Sequence, residues 1–420
     1  MSTDGCLIAR HGCPPATPAG RIGRVLTSVF AALLLVLSAA CGSDGEGREQ
    51  QASPRGEVVS VTPISTMTAA ETTEFLADRT LEAPVRNGVE ASRVEYRTID
   101  ATGQPTTATG LLVLPDTDVG ELRIISYAHG TILRKDEAPS VGGANDRART
   151  IAFAAGGTIG VAPDYLGLGE GPGRHPYVHA PTAASASLDL LRAARTLAEE
   201  RGHTVAPEVY IVGFSQGGQA ATALARELHD NPDTGFAVGA LSAVSGPYDI
   251  REAQTPAAFD GRVSPRAAVV YLAYWITAMN PIYRVYDDPS EAFLPPYADH
   301  VEELFDGYHG VFDIAGRLPE TPQELLTPRF LEWAIEPTGP ALQAMNDSDG
   351  TCEWTTDAPV RLYASTADRS VPATNTEECL ETLRGERVER IDLTPMDHGA
   401  TARAAIAETV LWFDRLVTAG

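Results

Sequence analysis

From Val94 onward the chain alternates short apolar runs with helical stretches, and that alternation leaves few architectures open. VEYRTID (94 to 100) and GLLVLP (110 to 115) read as an opening hairpin, and LRIISYA (122 to 128) as a buried strand running into HGT. A helix around 146 to 155 precedes TIGVAPD (158 to 164), and an amphipathic stretch from Thr182 to Arg201 precedes EVYIV (208 to 212). A helix at 216 to 230 leads to FAVGALSAV (236 to 244); the pattern resumes with VRLYAST (360 to 366), RVERIDL (387 to 393) and a last helix from about 401 to 418. Strands alternating with helices imply a parallel sheet covered on both faces. Two antiparallel opening strands and six parallel ones predict a mostly parallel, eight-stranded α/β sheet.

The alternation stops between about 246 and 345. This quarter of the chain holds 14 of its 28 aromatic residues, among them Tyr271, Tyr274, Trp275, Tyr283, Tyr286, Phe293 and Trp333, and such a concentration needs a reason. One reading is a helical insertion packing its own small core; the other is a cap whose inner face forms an apolar pocket over a site. The two are compatible.

The N-terminal residues read as an address. Arg21 and Arg24 precede an apolar run, Val25 to Ala40, that ends in small residues before Cys41. That is a secretory signal layout, and sixteen residues rise only about 24 Å as a helix, short of the ~30 Å hydrocarbon core. LSAAC resembles a bacterial lipobox, which implies lipidation of Cys41, although Leu37 sits one place further from it than is usual. Residues 41 to 56 read as a flexible tether, which leaves 57 to 420 for the folded domain. Beyond residue 40 the net charge is near −26, since residues 1 to 40 carry Asp4 against Arg10, Arg21 and Arg24 in a chain of net −24. A field of that sign repels phosphate backbones and anionic membranes, so nucleic acid is excluded as a partner and membrane contact is expected only through the lipid anchor. With the signal removed and Cys41 lipidated, only Cys352 and Cys379 remain, and an even remainder in an oxidising compartment suggests a disulfide.

The chemistry is carried by GFSQGG (213 to 218), a G-x-S-x-G placed after EVYIV and before the helical run QAATALARELH. A nucleophile elbow needs a strand, a strained turn and a helix, with small residues two before and two after the serine; Gly213 and Gly217 supply them. Ser215 is then lifted toward solvent at a helix N-terminus, where amides favour developing negative charge. A serine hydroxyl needs a base, and the base needs a third group to hold its tautomer. Asp368, in STADRSVP, and His398, in PMDHGA, each follow a strand at the end of the sheet where Ser215 lies. Asp397 adjoins His398 and is badly placed to orient its ring, and Asp392 lies within a strand, so Asp368 is the expected acid. The oxyanion hole needs two N–H donors, expected from the backbone of Gln216 and from HGT, with Thr131 preferred and Gly130 next. His129 reads as a brace for that loop. His175 and His179 have a metal-like spacing, but Pro176 argues against a helix and no Cys or Glu completes a site, so no metal or cofactor is expected.

HGT, PDYLGLGEG (163 to 171) with HPYVHA, GFSQGG, STADRSVP and DHG together resemble the α/β-hydrolase superfamily, and more narrowly the secretory lipase group related to fungal lipase A. The resemblance spans roughly residues 60 to 418. It implies the α/β-hydrolase fold with a helical cap before the last two strands, hydrolysis of carboxylic esters, and Ser215, Asp368 and His398 in the triad positions. Asp164 matches its structural D-x-x-G-x-G turn. HGT departs from the acidic residue that lipase A has near its oxyanion loop. The expected substrate is a small-molecule or lipid ester. A prolyl-oligopeptidase type of peptidase, an acyltransferase and a catalytically dead binding module stay open, as do acyl-chain length and oligomeric state.

Overall fold

The computed structural model describes residues 54 to 419; the signal, Cys41 and nearly all of the tether lie outside them. Arg55, two residues before the predicted start of the domain, pairs at 3.0 Å with the buried carboxylate of Asp189.

Among the described residues nine strands form the main sheet, one more than the alternation predicts. In chain order they are β1 (Val58–Met67), β2 (Gly88–Ile99), β3 (Pro105–Asp116), β4 (Ile124–Ala128), β5 (Ile159–Pro163), β6 (Glu208–Phe214), β7 (Ala237–Val244), β8 (Val360–Ser365) and β9 (Val388–Leu393). Their spatial order is β1-β2-β3-β5-β4-β6-β7-β8-β9. The first three run antiparallel to their neighbours and the last six are parallel. The unforeseen strand is β1: it is an edge strand, largely exposed and interrupted by Pro63, so no buried face writes an alternation into its sequence. A helix, α1 (Ala69–Ala77), follows it, opened by a capping box between Thr68 and Glu71. The predicted strand 122 to 128 is shortened, because Glu121–Leu122 pairs instead with Thr204–Val205 in a separate two-stranded ladder.

The covering helices are α2 (Ala144–Ala154), α3 (Ala180–Glu200), α4 (Gln216–Asp230) and the last helix, here α5 (His398–Ala419). One apolar cluster joins β2 to β5 with α3 and α4; another joins the opposite face to α2 and α5 through Ile151, Phe153, Ile406 and Phe413. Between β7 and β8 the chain is helical, with Pro265–Tyr283 its longest element. It carries a core of its own, in which Phe293, Leu304, Ile314 and Leu325 are fully buried. Six parallel strands bring the ends of β4, β6, β8 and β9 to one edge of the sheet, and that edge lies beneath the inserted helices.

Candidate active site

Ser215 joins β6 to α4 with φ 58° and ψ −127°. A non-glycine residue keeps such a backbone only where its surroundings over-determine it. They do so here: the Ser215 N–H donates to the Val244 carbonyl at 2.9 Å, and the Gly218 N–H to the Ser215 carbonyl at 2.7 Å. A Cβ on Gly213 would lie 1.8 Å from the Gly217 carbonyl oxygen, and one on Gly217 would lie 2.0 Å from that of Ala128. Glycine is therefore required at both positions by close approach of backbone. Ser215 is not lifted into solvent but is 6% exposed, because the inserted helices cover it.

His398 and Asp368 lie next to it. The Asp368 carboxylate accepts from Nδ1 of His398 at 2.6 Å, and Nε2 lies 2.9 Å from the Ser215 hydroxyl. A carboxylate only accepts, so Nδ1 carries the ring proton and Nε2 is left to receive one from Ser215. The second Asp368 oxygen accepts the N–H groups of Ser370 and Val371, which fixes the carboxylate within its strand-end loop. The other two aspartates are employed elsewhere: Asp392 pairs with Arg390, and Asp397 accepts the Ala400 N–H at the start of α5. Ser365, at the end of β8, braces the loop before His398 by exchanging hydrogen bonds with the backbone of Met396, a contact without a sequence signature.

The HGT segment follows Ala128, which pairs with Gly213 across β4 and β6, so Gly130, Thr131 and Gln216 share the strand end that carries Ser215. Gly130 packs against Phe214: a Cβ there would meet its ring at 3.2 Å. His129 is fully buried, with Nδ1 at 2.7 Å from the Gly130 carbonyl, and braces the loop as read from sequence. Asp164 is also structural. Its carboxylate accepts from Thr109 and Ser140 deep in the core, and burial raises its pKa.

His175 and His179 sit apart in function. His175 donates Nδ1–H to the Leu166 carbonyl at 2.9 Å and accepts at Nε2 from the Gln216 side-chain amide at 2.7 Å; burial pushes its pKa down to about 3. His179 contacts Thr182 and Tyr283, and burial pushes it down to about 4. Both rings are thus occupied by protein partners. Among the described residues no cluster of three or more His, Cys, Asp or Glu is placed to hold a metal.

An open pocket reaches Ser215 and Gln216. Its walls are largely apolar, with Tyr271, Trp275, Phe330 and Trp333 from the insertion and Tyr177 and Val371 from the base. The aromatic residues of the insertion divide between this pocket and the insertion's own core. Phe293 belongs to the insertion's own core, where Tyr286 meets it edge-on. Tyr177 was not foreseen. Its hydroxyl lies 3.0 Å from that of Thr131, and its ring stacks on Tyr274 of the insertion. Cys352 and Cys379 form a disulfide that brackets the Asp368 loop.

A model of the Alpha/beta hydrolase family matches residues 141 to 407. No curated protein matches the sequence. Among solved structures, a protein described as a hydrolase from Legionella pneumophila is similar at 27% identity and a TM-score of 0.78, covering 86% of this chain and 98% of its own. The rice cell wall degrading esterase LipA from Xanthomonas oryzae is similar at 25% identity and a TM-score of 0.76, covering 85% and 97%. Candida antarctica lipase A shares the fold at 13% identity and a TM-score of 0.60, covering 82% and 78%.

Proposed function

Because the chain belongs to the α/β-hydrolase family, we propose that it is a serine carboxylic ester hydrolase, a lipase or carboxylesterase, with Ser215 as nucleophile, His398 as base and Asp368 as acid. The observation that carries this reading is the unbroken hydrogen-bonded line from the Asp368 carboxylate through His398 to the Ser215 hydroxyl at the floor of an apolar pocket. In the first half-reaction Ser215 Oγ attacks the ester carbonyl carbon as His398 Nε2 takes its proton. The oxyanion is received by the backbone N–H of Gln216 and that of Thr131, with Gly130 the alternative donor. Collapse breaks the bond to the alcohol oxygen, which leaves with the proton held by His398. Water then attacks the acyl-enzyme, giving its proton to His398, and release of the carboxylic acid returns that proton to Ser215.

The inserted helices, about 246 to 345, act as a cap whose pocket takes the apolar part of the ester; this favours an ester over a peptide substrate. Both hydrolase and esterase similarities accord with it. We place the protein outside the cytoplasm, lipid-anchored through Cys41, a reading supported by the signal-like N-terminus and by the disulfide. No described helix is long and apolar enough to cross a membrane.

The test is turnover of p-nitrophenyl esters of increasing chain length, beside a proline aminopeptidase substrate, by the parent and by Ser215→Ala. Ester turnover should fall by about 10³ or more in the folded variant. Near-native turnover by Ser215→Ala, or failure of an organophosphonate to label Ser215, rules the assignment out.

A further inference from the structure

The side chain of Gln216 plays no part in the reading above, which uses only its backbone N–H. It is nevertheless 3% exposed and makes one side-chain hydrogen bond among the described residues, from Nε2 to His175 Nε2 at 2.7 Å, while its carbonyl oxygen has no partner. The direction of that bond is determined. His175 spends its Nδ1–H on the Leu166 carbonyl, so Nε2 presents a lone pair and the glutamine amide must donate. His175 is itself held firmly: its ring stacks on Tyr165 and meets Tyr177 and Tyr274 edge-on. Leu166, its acceptor, belongs to the turn that Asp164 anchors through Ser140 and Thr109.

Gln216 is the first residue of α4 and directly follows the strained Ser215. The other restraints on this elbow, from Val244 and from Gly218, act on Ser215 itself, and the two flanking glycines act by close contact. A strained turn relaxes where a restraint is missing. We propose that His175 is a positioning residue: by accepting from the Gln216 side chain it fixes the first residue of α4, so that the Gln216 N–H stays aimed at the developing oxyanion. His175 touches neither substrate nor the reacting atoms in this account, and the proposal rests on Gln216 N–H being the oxyanion donor.

The experiment compares the full chain with His175→Phe, His175→Gln, Gln216→Met and the His175→Phe/Gln216→Met double variant. The readouts are kcat and KM on a soluble short-chain ester, the rate at which an organophosphonate labels Ser215, and thermal unfolding. Phenylalanine keeps the ring packing and removes the acceptor; glutamine can return an amide oxygen to the place of Nε2. His175→Phe should lower kcat and the labelling rate about tenfold or more with KM changed less than about threefold, because an interaction made in the transition state is lost. His175→Gln should recover most of that loss. The double variant should be no slower than Gln216→Met alone, because a residue acting through another adds no second loss.

Losses that multiply in the double variant overturn the proposal, as does a raised KM with kcat unchanged, or a folded His175→Gln as slow as His175→Phe. Should His175→Phe fail to fold, the other variants decide: native kcat and labelling in Gln216→Met overturns it equally. Loss of turnover in Ser215→Ala keeps the ester-hydrolase reading whatever these variants show, so the two failures are told apart.

Discussion

Tyr177 and Tyr274 stack face to face, with ring centroids 4.2 Å apart and planes within 4° of parallel. One ring follows β5 in the base and the other belongs to Pro265–Tyr283, the longest helix of the insertion, so the contact joins the two beside the HGT loop. Tyr274 stacks in turn on Phe305 within the cap, and the Tyr177 hydroxyl reaches Thr131. Replacing either tyrosine with Ala should cost about 3 to 5 kcal/mol, the range for truncating a buried aromatic. A double-mutant cycle on urea unfolding should return a coupling of about 0.5 to 1.5 kcal/mol. Additive losses would mean that the stacking contributes only area.

Asp368→Asn should lower turnover by about 10⁴, because the amide cannot hold the Nδ1–H tautomer of His398. Asp392→Asn should leave turnover near that of the parent, since its carboxylate serves Arg390. Asp397→Ala should remove the cap on the Ala400 N–H and cost about 1 kcal/mol of stability with the triad intact. If Asp392→Asn is the damaging change and Asp368→Asn is silent, the acid is misassigned. Steady-state kinetics on one soluble ester, with thermal unfolding alongside, separates the three.

The Ser215, Asp368 and His398 constellation was legible because each residue follows a strand, and parallel strands carry their C-terminal loops to one edge of the sheet. Gly213 and Gly217 were legible from the elbow motif, and a Cβ on either would fall 1.8 or 2.0 Å from a backbone carbonyl oxygen. Burial of Ser215 was not, because what covers it is the insertion, and helical periodicity does not say which face meets a pocket and which meets the insertion's own core. Trp275 and Phe293 show this directly: both are apolar, both lie in the same segment, and they face different things. The edge strand β1 escaped because an exposed strand has no buried face to impose a pattern. The spacing of His175 to His179 carries no trace of its partners: Leu166 lies across the neighbouring turn, and Gln216, 41 residues away, is brought to it only by the fold.

Trp275 and Phe293 therefore predict different phenotypes. Trp275→Ala should flatten the preference for longer acyl chains, each methylene losing up to ~0.8 kcal/mol of burial, because the indole lines the pocket. Phe293→Ala should cost about 3 to 5 kcal/mol of stability, with the chain-length profile of the surviving folded protein unchanged. The check is kcat/KM across p-nitrophenyl esters of graded length. An unchanged profile for Trp275→Ala and for a pocket-facing partner such as Trp333→Ala would reduce the cap to a structural element.

The disulfide joins two cysteines at a sequence separation of 27, and the segment it closes contains Asp368. In the chain-entropy account such a bond contributes roughly 3.5 kcal/mol, an upper figure where denatured-state structure intervenes. Cys352→Ser with Cys379→Ser should lower the thermal midpoint and cost activity before global unfolding, because the strand-end loop holding the acid loses its tie. Equal loss of activity and of far-UV ellipticity along one transition would show that the bond acts on the whole fold alone. Mass spectrometry of exported protein with both thiols free would remove the premise.

The buried histidines make native stability acid-sensitive in a direction that follows from their burial. Burial holds His175 at about 3 and His179 at about 4, whereas an imidazole in the unfolded chain titrates near ~6.5. Between those values the unfolded chain binds protons that the native state refuses, so stability rises with pH there and is lost as pH falls from about 6.5 toward 3. Asp349 acts in the opposite sense. Burial lifts its carboxyl to about 7, so the native state keeps a proton that the unfolded chain releases from about 3.9 upward, and this contribution falls as pH rises through that window. Because the two overlap, the informative quantity is the difference between the parent and His179→Phe in urea midpoint. That variant loses the contacts of His179 with Thr182 and Tyr283 and should be the less stable protein at neutral pH. Its deficit should shrink as pH is lowered to about 4.5, since phenylalanine binds no proton when the chain unfolds. A deficit that stays constant or grows toward acid would mean that His179 is not kept neutral in the native state.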